Sequence, residues 1–137
     1  MLLKGKRIFI VEDNLSNKAI MQMLLEQDGA KVLFDRWGAE ALEKMLAALP
    51  LDVILMDLML PGQLTGYDIF QQIRRIETFR DIPIVAVSAA DASTAIPKAQ
   101  ELGFSGYISK PIDFLRFTKQ VKTIIDGTAV WYTPERI

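Results

Sequence analysis

Residues 8–14 read IFIVEDN, four apolar residues that run directly into two carboxylates and an amide. The apolar part lacks the strict alternation of a half-exposed strand, which indicates a strand that is covered on both faces. Glu12 and Asp13 then stand side by side although their charges repel each other. Their side chains can converge only if the chain turns off the sheet here, and Asn14 as a helix N-cap would supply that turn.

The same succession of a short apolar run and a longer amphipathic stretch repeats along the chain. The apolar runs are RIFIV (7–11), KVLF (31–34), DVILM (52–56), IPIVAV (82–87) and GYIS (106–109). Helical spacing predicts helices over 15–27, 39–48, 66–77 and 112–126. A further helix would begin at Ser93 or Thr94 as its N-cap, with Pro97 in its first turn. Five strands alternating with five helices predict an α/β fold with a parallel sheet covered by helices on both faces.

Composition excludes several classes of protein. The 137 residues suit one domain, and a net charge of −1 gives no electrostatic footprint for nucleic acid. No apolar run approaches the ~20 residues that span a bilayer, and MLLKGKR is too short for a signal peptide, so we expect a cytoplasmic protein. Cysteine and histidine are absent, which excludes disulfides, thiolate or imidazole metal sites and serine–histidine triads.

Polar residues follow four of the five apolar runs. They are Glu12 and Asp13 after the first run, Asp57 after the third, Ser88 after the fourth and Lys110 after the fifth. Ligands of open parallel sheets bind beyond the carboxyl ends of the strands, so we expect these side chains to share one pocket. Asp52 begins its strand and therefore lies at the opposite edge, where we interpret it as structural.

The charges of this pocket predict a bound cation. Three carboxylates and one lysine leave a charge of −2, which Mg²⁺ would balance, whereas the spacing of a calcium-binding EF-hand loop does not occur. A metal ion beside a lysine and a hydroxyl favours phosphoryl transfer. Asp57 is the candidate nucleophile because it stands alone after the central strand, while Glu12 and Asp13 form a pair suited to holding the ion.

Four motifs resemble the receiver domain of bacterial two-component response regulators. They are VEDN (11–14), ILMDLMLPG (54–62), VSAA (87–90) and GYISKPI (106–112), in the order of that family. The resemblance covers about residues 5–126. It implies a doubly wound, flavodoxin-like five-stranded sheet of order 2-1-3-4-5 in a domain over 1–126, with 127–137 as a short tail. It also implies that Asp57 accepts a phosphoryl group from a histidine kinase or phosphotransfer protein.

The resemblance assigns roles to the other pocket residues. It implies Mg²⁺ bound by Asp13, Asp57 and the backbone carbonyl of Met59, with Glu12 acting through water. Lys110 and Ser88 would contact the phosphoryl group, and Tyr107 would swing inward as the switch aromatic. The peptide bond between Lys110 and Pro111 would be cis.

The sequence departs from the family pattern at four places. The loop between Asp57 and Gly66, with the sequence PGQLTG at 61–66, is one residue longer than usual, and serine stands at 88 where threonine is commoner. Trp37 replaces a small polar turn residue, and is interpreted as a packed loop residue or as part of a contact surface. Pro97 is expected to shorten the helix that contributes to the usual dimer face of the family.

Three functions compete. The first is a stand-alone phosphorylation switch without an effector domain, whose output is a downstream protein partner or a homodimer and not DNA binding. The second is a receiver-like adaptor that binds a partner without phosphorylation. The third is an enzyme of similar architecture: the acidic loop after the first strand would repel a flavin phosphate, and Met59 occupies the place where a phosphatase would carry a second aspartate.

Overall fold

The computed structural model describes residues 1–36, 40–62 and 64–134. Within them the elements are β1 (Arg7–Val11), α1 (Leu15–Gln27), β2 (Lys31–Asp35), α2 (Ala41–Ala48), β3 (Val53–Met56), α3 (Gly66–Arg74), β4 (Ile84–Ser88), α4 (Ala92–Leu102), β5 (Gly106–Ser109), α5 (Phe117–Ile125) and β6 (Val130–Tyr132). A 3₁₀ turn, Glu77–Phe79, follows α3. The strands form one parallel sheet in the order β2-β1-β3-β4-β5-β6. The predicted α/β class and the order of the first five strands are confirmed.

The predicted number of strands is wrong. Within the described residues the sheet has six strands, because Val130–Tyr132 pairs with β5 in parallel. This segment lies in the predicted tail 127–137. A valine followed by two aromatic residues favours an extended backbone, but a run of three residues is shorter than most strands and gives little signal by itself.

Side chains that alternate along the strands form two apolar layers, one on each face of the sheet. Ile54 and Met56 of β3 point to the face that α2, α3 and α4 cover, together with Phe9 and Tyr107. Val53 and Leu55 point to the face that α1 and α5 cover. All four residues of β3 are buried, as the unbroken apolar run predicts.

The ends of α1 and α5 depend on local hydrogen bonds. Asn14 caps α1 as predicted, since its side chain accepts from the backbone N of Asn17 at 2.9 Å. The helix predicted to start at 112 starts five residues later. Turns precede it, in which Asp113 Oδ1 accepts from the N of Leu115 at 2.9 Å. This side-chain bond offers the backbone an alternative to the helix.

The fourth helix differs from the prediction. Its N-cap is Asp91, whose side chain accepts from Ser93 N at 3.2 Å, and not Ser93 or Thr94. Pro97 is therefore the sixth residue of an eleven-residue helix, in its second turn, and does not shorten it. The interpretation of Trp37, and the part of the PGQLTG loop at residue 63, lie outside the described residues.

Candidate functional site

The predicted site residues meet at the carboxyl edge of the sheet. Val11 and Met56 are partners in the register of β1 and β3, so Glu12 and Asp57 follow neighbouring strands at the same level. The backbone N of Asp57 donates to the O of Val11 at 3.0 Å, which continues the pairing of these strands beyond the regular ladder. Two carboxylates that are 45 positions apart in the chain are thereby held beside each other.

Glu12, Asp13 and Asp57 form one cluster. Each offers a carboxylate oxygen, and these oxygens all lie within 4.8 Å of one another. Glu12 is fully buried and Asp57 is 6% exposed, while Asp13 is half-buried. Carboxylates packed this closely repel one another when all are ionised, and burial weakens the screening by water.

Lys110 supplies a positive charge to this cluster. Its Nζ contacts Glu12 Oε1 and lies 3.1 Å from Asp57 Oδ2, and its side chain is 12% exposed. The peptide bond between Lys110 and Pro111 is cis. Lys110 N donates to the O of Ser88 at 2.9 Å, which holds the start of this loop against the end of β4. One ammonium group thus bridges two of the three carboxylates.

The charge of Glu12 remains poorly compensated. Burial, and the neighbouring Asp57 carboxyl, raise the pKa of Glu12 from 4.5 to about 7, although Lys110 acts in the opposite direction. Its Oε2 is buried and has no hydrogen-bond partner among the described residues. A buried carboxylate oxygen without a partner is costly, and a cation would satisfy it. The donor set of three carboxylates therefore fits a hard divalent ion such as Mg²⁺.

The segment after β3 holds the Asp57 carboxylate from the other side. Met59 N donates to Asp57 Oδ1 at 3.0 Å, whereas the Met59 side chain is 62% exposed. Gly66 begins α3 directly against the backbone of Asp57, and its N donates to the O of Leu58 at 3.2 Å. Asp57 therefore stands between Lys110 and a tight backbone turn.

Ser88 and Tyr107 both bind the backbone of Ala90. Ser88 Oγ accepts from Ala90 N at 3.2 Å, and Tyr107 OH donates to Ala90 O at 2.8 Å. Both side chains are fully buried, so Tyr107 lies inward in this structure. The loop between β4 and α4 is thus joined to the end of β4 and to β5 through one residue.

Three residues of this site were not predicted from the sequence. Gly66 matters because it packs on the backbone of Asp57, a contact that a single glycine in the sequence does not reveal. Ala90 acts through its backbone groups, which every residue type carries. Arg36 donates from Nε to the O of Asp13 at 3.2 Å, and so fixes the backbone of a cluster residue. Its place directly after β2, at the same sheet edge, was the available signal.

Fold and site together define a flavodoxin-like α/β domain with an acidic pocket at the carboxyl ends of its parallel strands. The model of the response regulator receiver domain family matches residues 8–122. The polar-differentiation response regulator DivK of Brucella ovis is 34% identical over 120 residues, which are 88% of this chain and 96% of DivK. The chain belongs to the response regulator receiver domain family of two-component systems, and the predicted resemblance is confirmed.

Solved structures agree with this assignment. A sensor protein from Polaromonas sp. JS666 is 31% identical with a TM-score of 0.80, over 91% of this chain and 99% of the other. The receiver domain of a sensor histidine kinase from Pseudomonas aeruginosa PAO1 is 28% identical with a TM-score of 0.78, over 90% and 99%. That structure holds a magnesium ion in its active-site cleft. In the present chain, none of the helices within the described ranges is long and apolar enough to cross a bilayer.

Proposed function

We propose that this chain is a phosphorylation switch in which Asp57 accepts a phosphoryl group from a histidine kinase or phosphotransfer protein. The observation that carries the proposal is the position of the Asp57 carboxylate, 3.1 Å from Lys110 Nζ and clustered with Glu12 and Asp13. Membership of the receiver family supports it, because receiver domains are phosphoacceptor switches rather than enzymes. The proposed receiver domain comprises residues 1–126, and Val130–Tyr132 adds a sixth strand to its sheet.

The proposed reaction needs little chemistry from the protein. An oxygen of the Asp57 carboxylate attacks phosphorus, the bond from phosphorus to the donor atom breaks, and the donor leaves with the electron pair. A carboxylate nucleophile has no proton to lose, so no general base is required. The Lys110 ammonium can stabilise negative charge first on the Asp57 carboxylate and then on the oxygens of the transferred phosphoryl group. Met59 N donates to Asp57 Oδ1 and holds that oxygen in place.

Three groups would hold Mg²⁺: the carboxylates of Asp13 and Asp57 and the backbone carbonyl of Met59, with Glu12 acting through water. The unpartnered Oε2 of Glu12 supports this assignment. When bound, the ion neutralises charge that develops on the transferring phosphoryl group. The magnesium-bound Pseudomonas receiver domain supports the choice of ion.

The response to phosphorylation would pass through Ser88 and Tyr107. Ser88 would bond the phosphoryl group, and phosphorylation would favour the inward position of Tyr107. Ala90 connects the two, since its N–H and C=O bind Ser88 and Tyr107 respectively. The changed surface would then alter the affinity for a downstream protein or for a second copy of the chain.

Phosphorylation by a small acyl phosphate tests this proposal. Incubation with Mg²⁺ should add the mass of one phosphoryl group to the wild type, and none when a chelator replaces Mg²⁺. Asp57→Asn should abolish the gain. Asp52→Asn is the matched control, because Asp52 lies at the other end of β3, where its Oδ2 accepts from Arg7 N at 2.7 Å.

Two results would overturn the proposal. If Asp57→Asn gained phosphate as fully as the wild type, the acceptor would be another residue. If the folded wild type bound no Mg²⁺ and gained no phosphate, an adaptor that works without phosphorylation would be the better description.

A further inference from the structure

The outer edge of β5 is covered by the chain's own C-terminal segment. β6 pairs with it in parallel, with the partners Gly106 and Val130, Tyr107 and Trp131, and Ile108 and Tyr132. β4 is the other neighbour of β5, so β5 would be an edge strand without β6. The unpaired N–H and C=O groups of an edge strand are a template for another strand. The β5 edge is therefore a strand-binding site, and β6 is its occupant.

Gly106 shapes this site for close approach. A Cβ atom at residue 106 would stand 2.6 Å from the O of Val130 and 3.4 Å from its N. Real Cβ atoms do not come this close to backbone oxygen, so a side chain at this position would push β6 away. The absence of a side chain at the start of β5 is thus matched to the backbone of β6.

A series of contacts joins β6 to the phosphorylation site. Trp131 is the partner of Tyr107 in the register, so both side chains lie on the same face, and Trp131 packs against the apolar cluster that contains Tyr107. Tyr107 OH binds Ala90 O at 2.8 Å, and Ser88 Oγ binds Ala90 N at 3.2 Å. Hydrogen bonds and one shared apolar cluster therefore connect β6 with the end of β4.

The segment that follows β6 also borders the site. A groove of about 920 Å³ is lined by Ser88 and Lys110 and by Thr133 and Pro134. Loss of β6 from the β5 edge would remove one wall of this groove. The position of residues 130–134 is therefore connected with the phosphoryl-accepting pocket in two ways, through Tyr107 and through the groove.

We propose that the β5 edge is a strand-binding site occupied by residues 130–132, and that its occupancy and the phosphorylation of Asp57 favour each other. This inference rests on the proposed function, under which phosphorylation favours an inward Tyr107. With β6 in place, Trp131 lies beside Tyr107 on the side away from β4 and opposes its outward movement. Because strand and phosphoryl group bias the same position of one side chain, their free energies are coupled.

Hydrogen exchange of the full-length chain tests the coupling. The amides of residues 130–132 are followed with Mg²⁺ alone and with Mg²⁺ plus a small acyl phosphate, and the mass of the protein gives the phosphorylated fraction. Phosphorylation should slow their exchange by about 5- to 150-fold, the usual range of coupling between two sites. A phosphorylated protein with unchanged or faster exchange of these amides would overturn the inference.

The mass measurement separates this failure from failure of the proposed function. A wild type that gains no phosphate contradicts the proposed function, and the coupling with it. Phosphate on the protein without slower exchange contradicts the coupling alone.

Two substitutions test the path through Trp131. Trp131→Ala should remove the slowing, whereas Trp131→Phe keeps a ring beside Tyr107 and should retain most of it. By reciprocity, Trp131→Ala should weaken binding of beryllium trifluoride, a phosphoryl analogue, by the factor that the wild-type exchange experiment gives. Circular dichroism checks that the variants fold. If a variant does not fold, the exchange of the wild type with and without acyl phosphate still tests the inference. Full slowing in a folded Trp131→Ala would contradict the inference.

Discussion

Gly66, the first residue of α3, packs directly on the backbone of Asp57. A Cβ atom at residue 66 would stand 2.2 Å from the carbonyl oxygen of Asp57 and 2.8 Å from the Cα of Leu58. These are backbone atoms next to the proposed phosphoacceptor, so they cannot yield without moving it. The start of α3 and the position of Asp57 therefore depend on the same packing contact.

Gly66→Ala should damage both stability and the site. Forcing a methyl group into this contact should lower the free energy of unfolding by about 1–3 kcal/mol, as overpacking usually does. It should also reduce the phosphate gained from a small acyl phosphate, because Asp57 must shift. Urea denaturation and mass spectrometry measure the two effects.

Gly103→Ala is the matched control for this substitution. Gly103 ends α4 with a φ of 102°, and a Cβ there would meet only the ring of Phe70 at 3.9 Å. Alanine at this φ costs about 1–2 kcal/mol in backbone strain but is remote from Asp57. Equal loss of phosphate in both variants would show that the contact of Gly66 with Asp57 has no special role.

The raised pKa of Glu12 predicts how stability depends on pH when no divalent cation is bound. Between pH 4.5 and about pH 7 the folded protein keeps the proton on the Glu12 carboxyl, whereas the unfolded chain loses it. The contribution of Glu12 to stability is therefore fully present below pH 4.5, falls as pH rises, and levels off above about 7.

The difference in unfolding free energy between the wild type and Glu12→Gln isolates this contribution. In a chelating buffer the wild type should lose stability relative to Glu12→Gln as pH rises across that window. Mg²⁺ should remove much of the loss, because a cation favours the ionised carboxylate. A difference that stays flat with pH in the chelating buffer would contradict the raised pKa of Glu12.

Local patterns predicted the parts of the molecule that depend on local chemistry. The unbroken apolar run 7–11 is β1 at the predicted bounds, and Asn14 caps α1 as predicted. Asp57 could be located because a carboxylate after an apolar run marks the carboxyl end of a strand, and such ends share one edge of a parallel sheet.

The features that the sequence did not predict depend on contacts between residues that are distant in the chain. β6 forms because the β5 edge is free to pair and Gly106 admits Val130, which no pattern within 130–132 reveals. Pro97 lies in the second turn of α4 because Asp91, rather than Ser93 or Thr94, begins the helix. Gly66 and Ala90 act through backbone positions that only the folded chain brings to the site.

Lys110→Met should destabilise the domain in a chelating buffer and less so in Mg²⁺. The substitution removes the ammonium that contacts Glu12 and Asp57 and keeps a side chain of similar length. Breaking a buried ion pair costs about 3–5 kcal/mol when a charge is left without a partner. We expect a smaller loss, because Glu12 can take up a proton instead. Urea denaturation with and without Mg²⁺ measures it.

A double-mutant cycle checks the reason for this loss. In a Glu12→Gln background, Lys110→Met should cost clearly less than in the wild type, since one of the two buried charges is already gone. Lys122→Met is the control on a surface pair, because Lys122 Nζ lies 2.5 Å from Asp126 Oδ2 and the two side chains are 29% and 54% exposed. Additive effects of Glu12→Gln and Lys110→Met would refute the coupling of these two side chains.

Tyr107→Phe should weaken the link between β5 and the loop after β4. The substitution keeps the buried ring and removes the hydroxyl that donates to Ala90 O at 2.8 Å. The free energy of unfolding should fall by about 0.5–1.5 kcal/mol, the usual contribution of one hydrogen bond. Burial raises the pKa of Tyr107 above its ordinary value of 10.0, so the hydroxyl stays a donor and the loss of stability should not vary with pH between 6 and about 9.

Tyr132→Phe is the control for this substitution. The Tyr132 hydroxyl accepts from Arg116 Nη1 at 3.5 Å on the surface, so its removal should leave stability nearly unchanged. A Tyr107→Phe protein as stable as the wild type would mean that Ala90 is held by Ser88 alone.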